Sequence, residues 1–252
     1  MISWSREKQL SILGATVLVA VVFLGVPIFF TFYRAPTCFD GKQNQNETGV
    51  DCGGQCSLIC KAEALPQIVR WQRVFRVVPG TWNAVAYVEN PNTDSGALRV
   101  PYVFKLYDSR NILVAERHSL TDILPRKTFA VFEGGFSVGD RIPTRVVFEF
   151  GTPIWQRGFV AEAKLSVSGD KLEDVSGAPR LTALITNPNL SPVSDIEVVA
   201  IIYDIAENAL ASSRTTVDLL RSGESAEISF TWPEPFSGLA VRQEFLYRVK
   251  AR

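Results

Sequence analysis

Two stretches of the chain alternate apolar and polar positions most plainly. In VPYVFKLYD, Tyr102, Phe104 and Leu106 fall on one side of an extended backbone, and Val103, Lys105 and Tyr107 fall on the other. In IEVVAIIYD, Ile196, Val198, Ala200 and Ile202 line one side. A period of two marks a strand with a buried face. Further short strands are expected at Trp82–Glu89, Ile112–Arg117, Phe129–Phe132, Arg145–Phe150, Leu181–Thr186, Leu210–Thr215, Ala226–Thr231 and Glu244–Val249. Asn-Pro-Asn at 90–92 and 187–189, Asp108–Asn111 and Arg221–Glu224 supply turns between them. After residue 33 no long helical period occurs, so the pattern predicts an all-β body.

Leu10–Tyr33 is different: it carries no charged residue. A bilayer core needs about 20 helical residues, whereas the apolar part of a secretory signal runs to only about 7–15 and ends at a small-residue cleavage site. No A-x-A pattern follows here, and Pro27 is tolerated in a membrane helix. The expectation is an uncleaved transmembrane helix at 10–33. Arg6, Lys8 and the terminal amine on one flank, against Arg34 on the other, predict a cytoplasmic tail at 1–9 and an exported remainder. That makes membrane lipid a partner through the anchor. The 26 basic and 26 acidic residues balance, which leaves no basic stripe for nucleic acid.

Sequence elements recur in order. WQRVF at Trp71–Phe75 returns as WQRGF at Trp155–Phe159, 84 positions later; Asn90-Pro-Asn92 returns 97 positions later at Asn187; Tyr107-Asp108 and Leu124 return 96 positions later at Tyr203-Asp204 and Leu220. The growing offset places an insertion at AEAKLSVSGDKLEDVSGAPR. Strands of this spacing predict two tandem immunoglobulin-like β-sandwiches, at 67–151 and 155–252.

All four cysteines, Cys38, Cys52, Cys56 and Cys60, lie within a small segment at 37–62. The segment is poor in aliphatic residues, and such pieces rely on cross-links rather than a core. Beside an anchor, in an oxidising compartment, the expectation is two disulfides, with all three pairings open. Zinc is the rival, but the spacings lack paired Cys-x2-Cys ligands. Asp40, Asn44, Glu47 and Asp51, with Asn46, form an oxygen-rich set that makes calcium the one candidate cofactor, although the spacing is not that of an EF-hand. Turn chemistry explains the same composition.

Catalytic candidates are few. Gly135-Phe136-Ser137-Val138-Gly139 matches the nucleophile elbow G-x-S-x-G, but the only histidine, His118, precedes Ser137, and strands surround the motif. A glycine-rich turn is the plainer reading. Ser5-x-x-Lys8 sits in the tail with no domain to hold it, and Asn46 and Asn189 begin glycosylation sequons. Phe132–Phe136 and Trp232–Phe236 break alternation and are expected to expose aromatic rings at loops.

Phe104-Lys105-Leu106-Tyr107-Asp108 resembles the signature of the FxLYD domain, a small extracytoplasmic β-sandwich of prokaryotes. VENPN, ITNPN and LRSGESAEISF resemble the turns and late strand of the related water-stress, late-embryogenesis-abundant-type sandwiches; the second copy has Ala200 and Ile202 where the signature has Phe and Leu. The cysteine stretch is similar to a recurrent C-x-D-G…D-C-G-G-x-C pattern found beside anchors. These resemblances cover about 69–249 and 38–60 and imply a fold more than an activity. The expected function is non-enzymatic: a cell-surface interaction, scaffold or assembly module with an envelope-protein partner. The alternatives are a calcium- or ligand-binding sensor and, behind it, a hydrolase using Ser137.

Overall fold

The computed structural model describes residues 4–33, 35–159 and 162–249; Arg34 and the terminal amine, two of the charges used for orientation, lie outside them. The chain divides into two compact units, Met1–Cys56 and Ser57–Arg252, so the boundary falls inside the cysteine segment.

The first unit opens with α1 (Trp4–Phe32), the one helix among the described residues. Its span Arg6–Phe32 is long and apolar enough to cross a membrane, with mean hydropathy 2.6 and no part buried by protein. Pro27 sits inside it without ending it, and Thr31 Oγ1 donates to the Pro27 carbonyl at 2.7 Å.

The second unit is built from β1 (Ile68–Val78), β2 (Thr81–Glu89), β3 (Ala97–Asp108), β4 (Leu113–Ile123), β5 (Thr128–Ser137), β6 (Pro143–Phe150), β7 (Ser166–Glu173), β8 (Arg180–Thr186), β9 (Val193–Tyr203), β10 (Ala209–Leu220), β11 (Ser225–Thr231) and β12 (Arg242–Val249). All pairings are antiparallel. The sheets run β1-β2-β5 and β4-β3-β6, then β7-β8-β11 and β10-β9-β12, so the second six strands are ordered as the first six. Each half closes its two sheets over a core. Phe104, Leu106, Ile123 and Phe129 anchor the first; Leu181, Ile185, Ile202 and Phe230 anchor the second.

A third core joins the halves. Phe75, Val85, Ala130 and Phe132, on the outer face of β1-β2-β5, pack against Val199, Ile201, Tyr203 and Ala209, on the outer face of β10-β9-β12. Four sheets therefore stack with apolar side chains between every neighbouring pair. Interdigitation of this kind is how sheets pack face to face.

Two expectations need correction. Trp155, expected to open the second copy, is buried in the first core beside Ile59. Ile59 N donates to the Trp155 carbonyl at 2.9 Å and Arg157 N to Ser57 O at 2.7 Å, a backbone contact that ties 57–59 to 155–157. The likeness of WQRVF to WQRGF thus joins a strand to a segment outside the strands. The supposed insertion contains β7, the counterpart of β1. It has no alternation to reveal it because most of its side chains are exposed on both faces.

Candidate functional site

In the first unit, Cys38 and Cys56 form a disulfide. Cys52 and Cys60 are disulfide-bonded too, so no cysteine is free. The acidic side chains turn inward upon their own loop. Asp51 Oδ1 accepts from Asp40 N and Gly41 N, both at 3.0 Å, and Asp40 accepts from Lys42 N at 2.9 Å and Asn44 Nδ2 at 2.9 Å. That Asn44 hydrogen bond, ahead of the backbone ones, lowers the Asp40 pKa. Glu47 is buried; Oε2 accepts from Asn44 N and Asp51 N at 3.2 Å, and Oε1 lies 3.2 Å from the Cys56 sulfur. Gly54 is required here, because a Cβ would meet the Asn46 carbonyl oxygen at 2.0 Å. The carboxylates of Asp40, Glu47 and Asp51 thus spend their lone pairs on backbone N–H groups, as turn-forming residues do. Cys38, Glu47 and Cys56 cluster closely, but both sulfurs are spent in the disulfide and offer no thiolate to a metal. Asn44 Oδ1 is the one atom of the set that is buried without a partner.

The motifs shared by the two halves do matching structural work. Asn90 Nδ2 donates to Ser95 O and Leu124 O, and Asn187 Nδ2 donates to Ser191 O and Leu220 O, at 2.8–3.0 Å. Asn92 and Asn189 each donate back to that first asparagine and reach a carbonyl upstream, Leu65 O and Lys164 O. Asp108 takes N–H groups from Arg110 and Ile112, as Asp204 does from Ala206 and Asn208. These backbone donors, Ile112 N and Asn208 N first, lower both aspartate pKa values.

Ser137 is exposed at the end of β5, and the chain passes through a turn into β6. The elbow needs a helix at that point. His118 pairs at 2.5 Å with Glu116 on β4. Phe132, Phe136 and Trp232, expected at exposed loops, are buried. Phe132 is claimed by the third core and Phe136 by the first.

The feature that sequence reasoning missed is the seam between the halves. Glu244 on β12 accepts from Tyr87 Oη of the first half at 2.8 Å and Tyr203 Oη of the second at 2.9 Å. Burial first, then the charge and hydrogen bonding of the Glu244 carboxylate, pushes the Tyr87 pKa up to about 12 and that of Tyr203 up as well. Farther along the seam a half-open cleft of about 440 Å³ lies among β3, β4, β5, β9 and β12. Leu98, Leu120, Leu124 and Phe129 form its apolar wall. At its rim Arg248 donates to Thr121 Oγ1 and, at 2.5 Å, to Glu197 Oε1; Glu197 also pairs with Arg214 at 3.3 Å. Lys127 pairs with Glu162 and covers the Tyr247 ring at 4.2 Å. Arg99 sits on a β-bulge between Ala97 and Val100 with φ of 51°, its N–H on Asp122 Oδ1 at 2.8 Å.

No protein-family profile matches this chain, and no curated protein sequence is similar to it. Among solved structures, the crystal structure of red sea bream transglutaminase aligns at 11% identity with TM-score 0.23. The match covers 71% of this chain and 29% of that one, and a likeness that low carries no argument. The class that the structure itself defines is an all-β protein with one N-terminal apolar helix and oxidised cysteines, which suit an oxidising, extracytoplasmic compartment.

Proposed function

We propose that the chain is a membrane-anchored, extracytoplasmic, non-enzymatic module that presents a rigid β-body to another envelope protein. In this reading α1 stays in the membrane as an uncleaved anchor with its N-terminus in the cytoplasm. The two halves are tandem FxLYD-like, immunoglobulin-like sandwiches. The observation that carries the reading is the third core: Phe75, Val85, Ala130 and Phe132 against Val199, Ile201, Tyr203 and Ala209 lock the halves together. A display or scaffold element benefits from such rigidity, because less order has to be imposed when a partner binds. The shared motifs support it too, since Asn90, Asn187, Asp108 and Asp204 are all occupied by backbone groups.

The test has two parts. Protease added to intact cells should degrade the β-body while an N-terminal tag survives; a protected β-body overturns the topology. Cross-linking on whole cells, followed by purification of the full-length chain, should give a discrete adduct with one envelope protein. Recovery of the chain only as itself overturns the interaction role.

A further inference from the structure

We propose that the seam cleft binds an organic carboxylate with an apolar chain, the chain lying on Leu98, Leu120 and Leu124 and the carboxylate on the Arg99 guanidinium. This goes beyond the interaction role and stands on the cleft alone. A volume of about 440 Å³ falls within the range of about 300–1,000 Å³ usual for small-molecule sites, which occur preferentially where two domains meet.

The charges select the ligand. Five charged side chains line the cleft: Arg99, Asp122, Lys127, Glu197 and Arg248. Arg248 and Glu197 are paired with each other, and Lys127 is paired with Glu162, whose other oxygen accepts from Val249 N at 2.9 Å. Asp122 has no ion pair among the described residues; its Oδ1 accepts from Arg99 N at 2.8 Å and holds the bulge. Arg99 has no ion pair among the described residues either, and it is an exposed residue of the lining. The bulge does not call for it: Asp195, at the matching place in β9, takes the same left-handed backbone with φ of 56°. Asp is among the residues enriched in this conformation, although Arg126 adopts it here as well, with φ of 48°. The apolar wall is equally unspent, with Leu98 and Leu120 39% and 48% exposed. A free planar cation beside an open apolar wall complements a carboxylate on a hydrocarbon tail.

The probe is octanoate carrying a photoreactive diazirine, applied to the full-length chain in lipid nanodiscs, with labelled residues mapped by mass spectrometry. Label is expected within 98–99 and 120–129 and should be competed by unlabelled octanoate but far less by octanol or octylamine. Arg99→Asn, which suits the left-handed backbone, should weaken labelling by about tenfold, and Arg99→Lys, which keeps the charge but not the planar fork, should weaken it by less. Circular dichroism checks that both variants keep their β-signal. Competition by octanol as strong as by octanoate, better competition by octylamine, labelling elsewhere, or indifference to Arg99→Asn would each overturn the proposal.

Discussion

β3 and β9 occupy the same place in their halves and bury the same inner face, yet their outer faces part company. Val103, Lys105 and Tyr107 look outward from β3, with Lys105 bound to Glu149 at 2.8 Å. The residues 96 positions on, Val199, Ile201 and Tyr203, are buried in the third core. β5 and β11 show the reverse. Ala130 and Phe132 are buried in the seam, while Glu227 and Ser229, 97 positions on, are exposed. One architecture thus carries an apolar outer face on a different sheet in each half. The two faces meet, and the remaining outer faces mix polar residues such as Lys105 and Glu149 with exposed apolar ones such as Leu184. Strand order is set by the inner alternation, and how the halves join is set by what occupies the other parity.

The largest expected effects test the two parities of β9. Leu106 and Ile202 are fully buried core residues, and Ile201 is as buried as they are. Leu106→Ala, Ile202→Ala and Ile201→Ala should each cost about 2–5 kcal/mol in denaturant unfolding. An Ile201→Ala as mild as a surface change would dissolve the seam. Next come the asparagines. Asn90→Ala and Asn187→Ala each strand buried carbonyls, and both should cost about 1–3 kcal/mol. A large difference between them would mean the halves are less alike than their hydrogen bonds.

A smaller effect is pH-dependent. Tyr87 has a raised pKa in the folded chain, so its contribution is complete below about pH 10, the unfolded value. It is lost as pH climbs from there toward about 12. Tyr87→Phe should flatten part of that alkaline decline in thermal melts, with the raised Tyr203 and Tyr102 retaining the rest. An unchanged slope would remove Tyr87 from the seam. The smallest effect is at Lys105, where Ala should leave the denaturant midpoint almost unmoved. A cost equal to that of Leu106→Ala would put the register of β3 in error.

Much of this was legible. Alternation in VPYVFKLYD located β3, and the Asn90/Asn187 and Asp108/Asp204 pairs make matching hydrogen bonds in the two halves. Those residues repeat because the same backbone groups need the same partners. The strands at 68–78 and 166–173 were missed: β7 is largely exposed on both faces and has no inward apolar series. The seam was missed for the opposite reason. In EVVAIIY both parities are apolar, a sign that both faces of the strand are buried, as in layered sheets. Attention to a single inner face left Val199 and Ile201 unexplained. Trp71 and Trp155 misled because a shared word says nothing about burial, and Trp155 serves the first core. The acidic set around Asp40 is legible in composition, but only geometry shows its oxygens turned on the loop itself.

The shared seam also governs the order of events on the ribosome. The first half can close its own core once Trp155, just beyond β6, has emerged. Its face of Phe75, Val85, Ala130 and Phe132 then waits uncovered until β9 and β10 follow. At synthesis rates of roughly 5–20 residues per second, that delay lasts several seconds. For that interval the nascent chain displays a sticky sheet, and a stall before Val193 would leave a folded but aggregation-prone fragment.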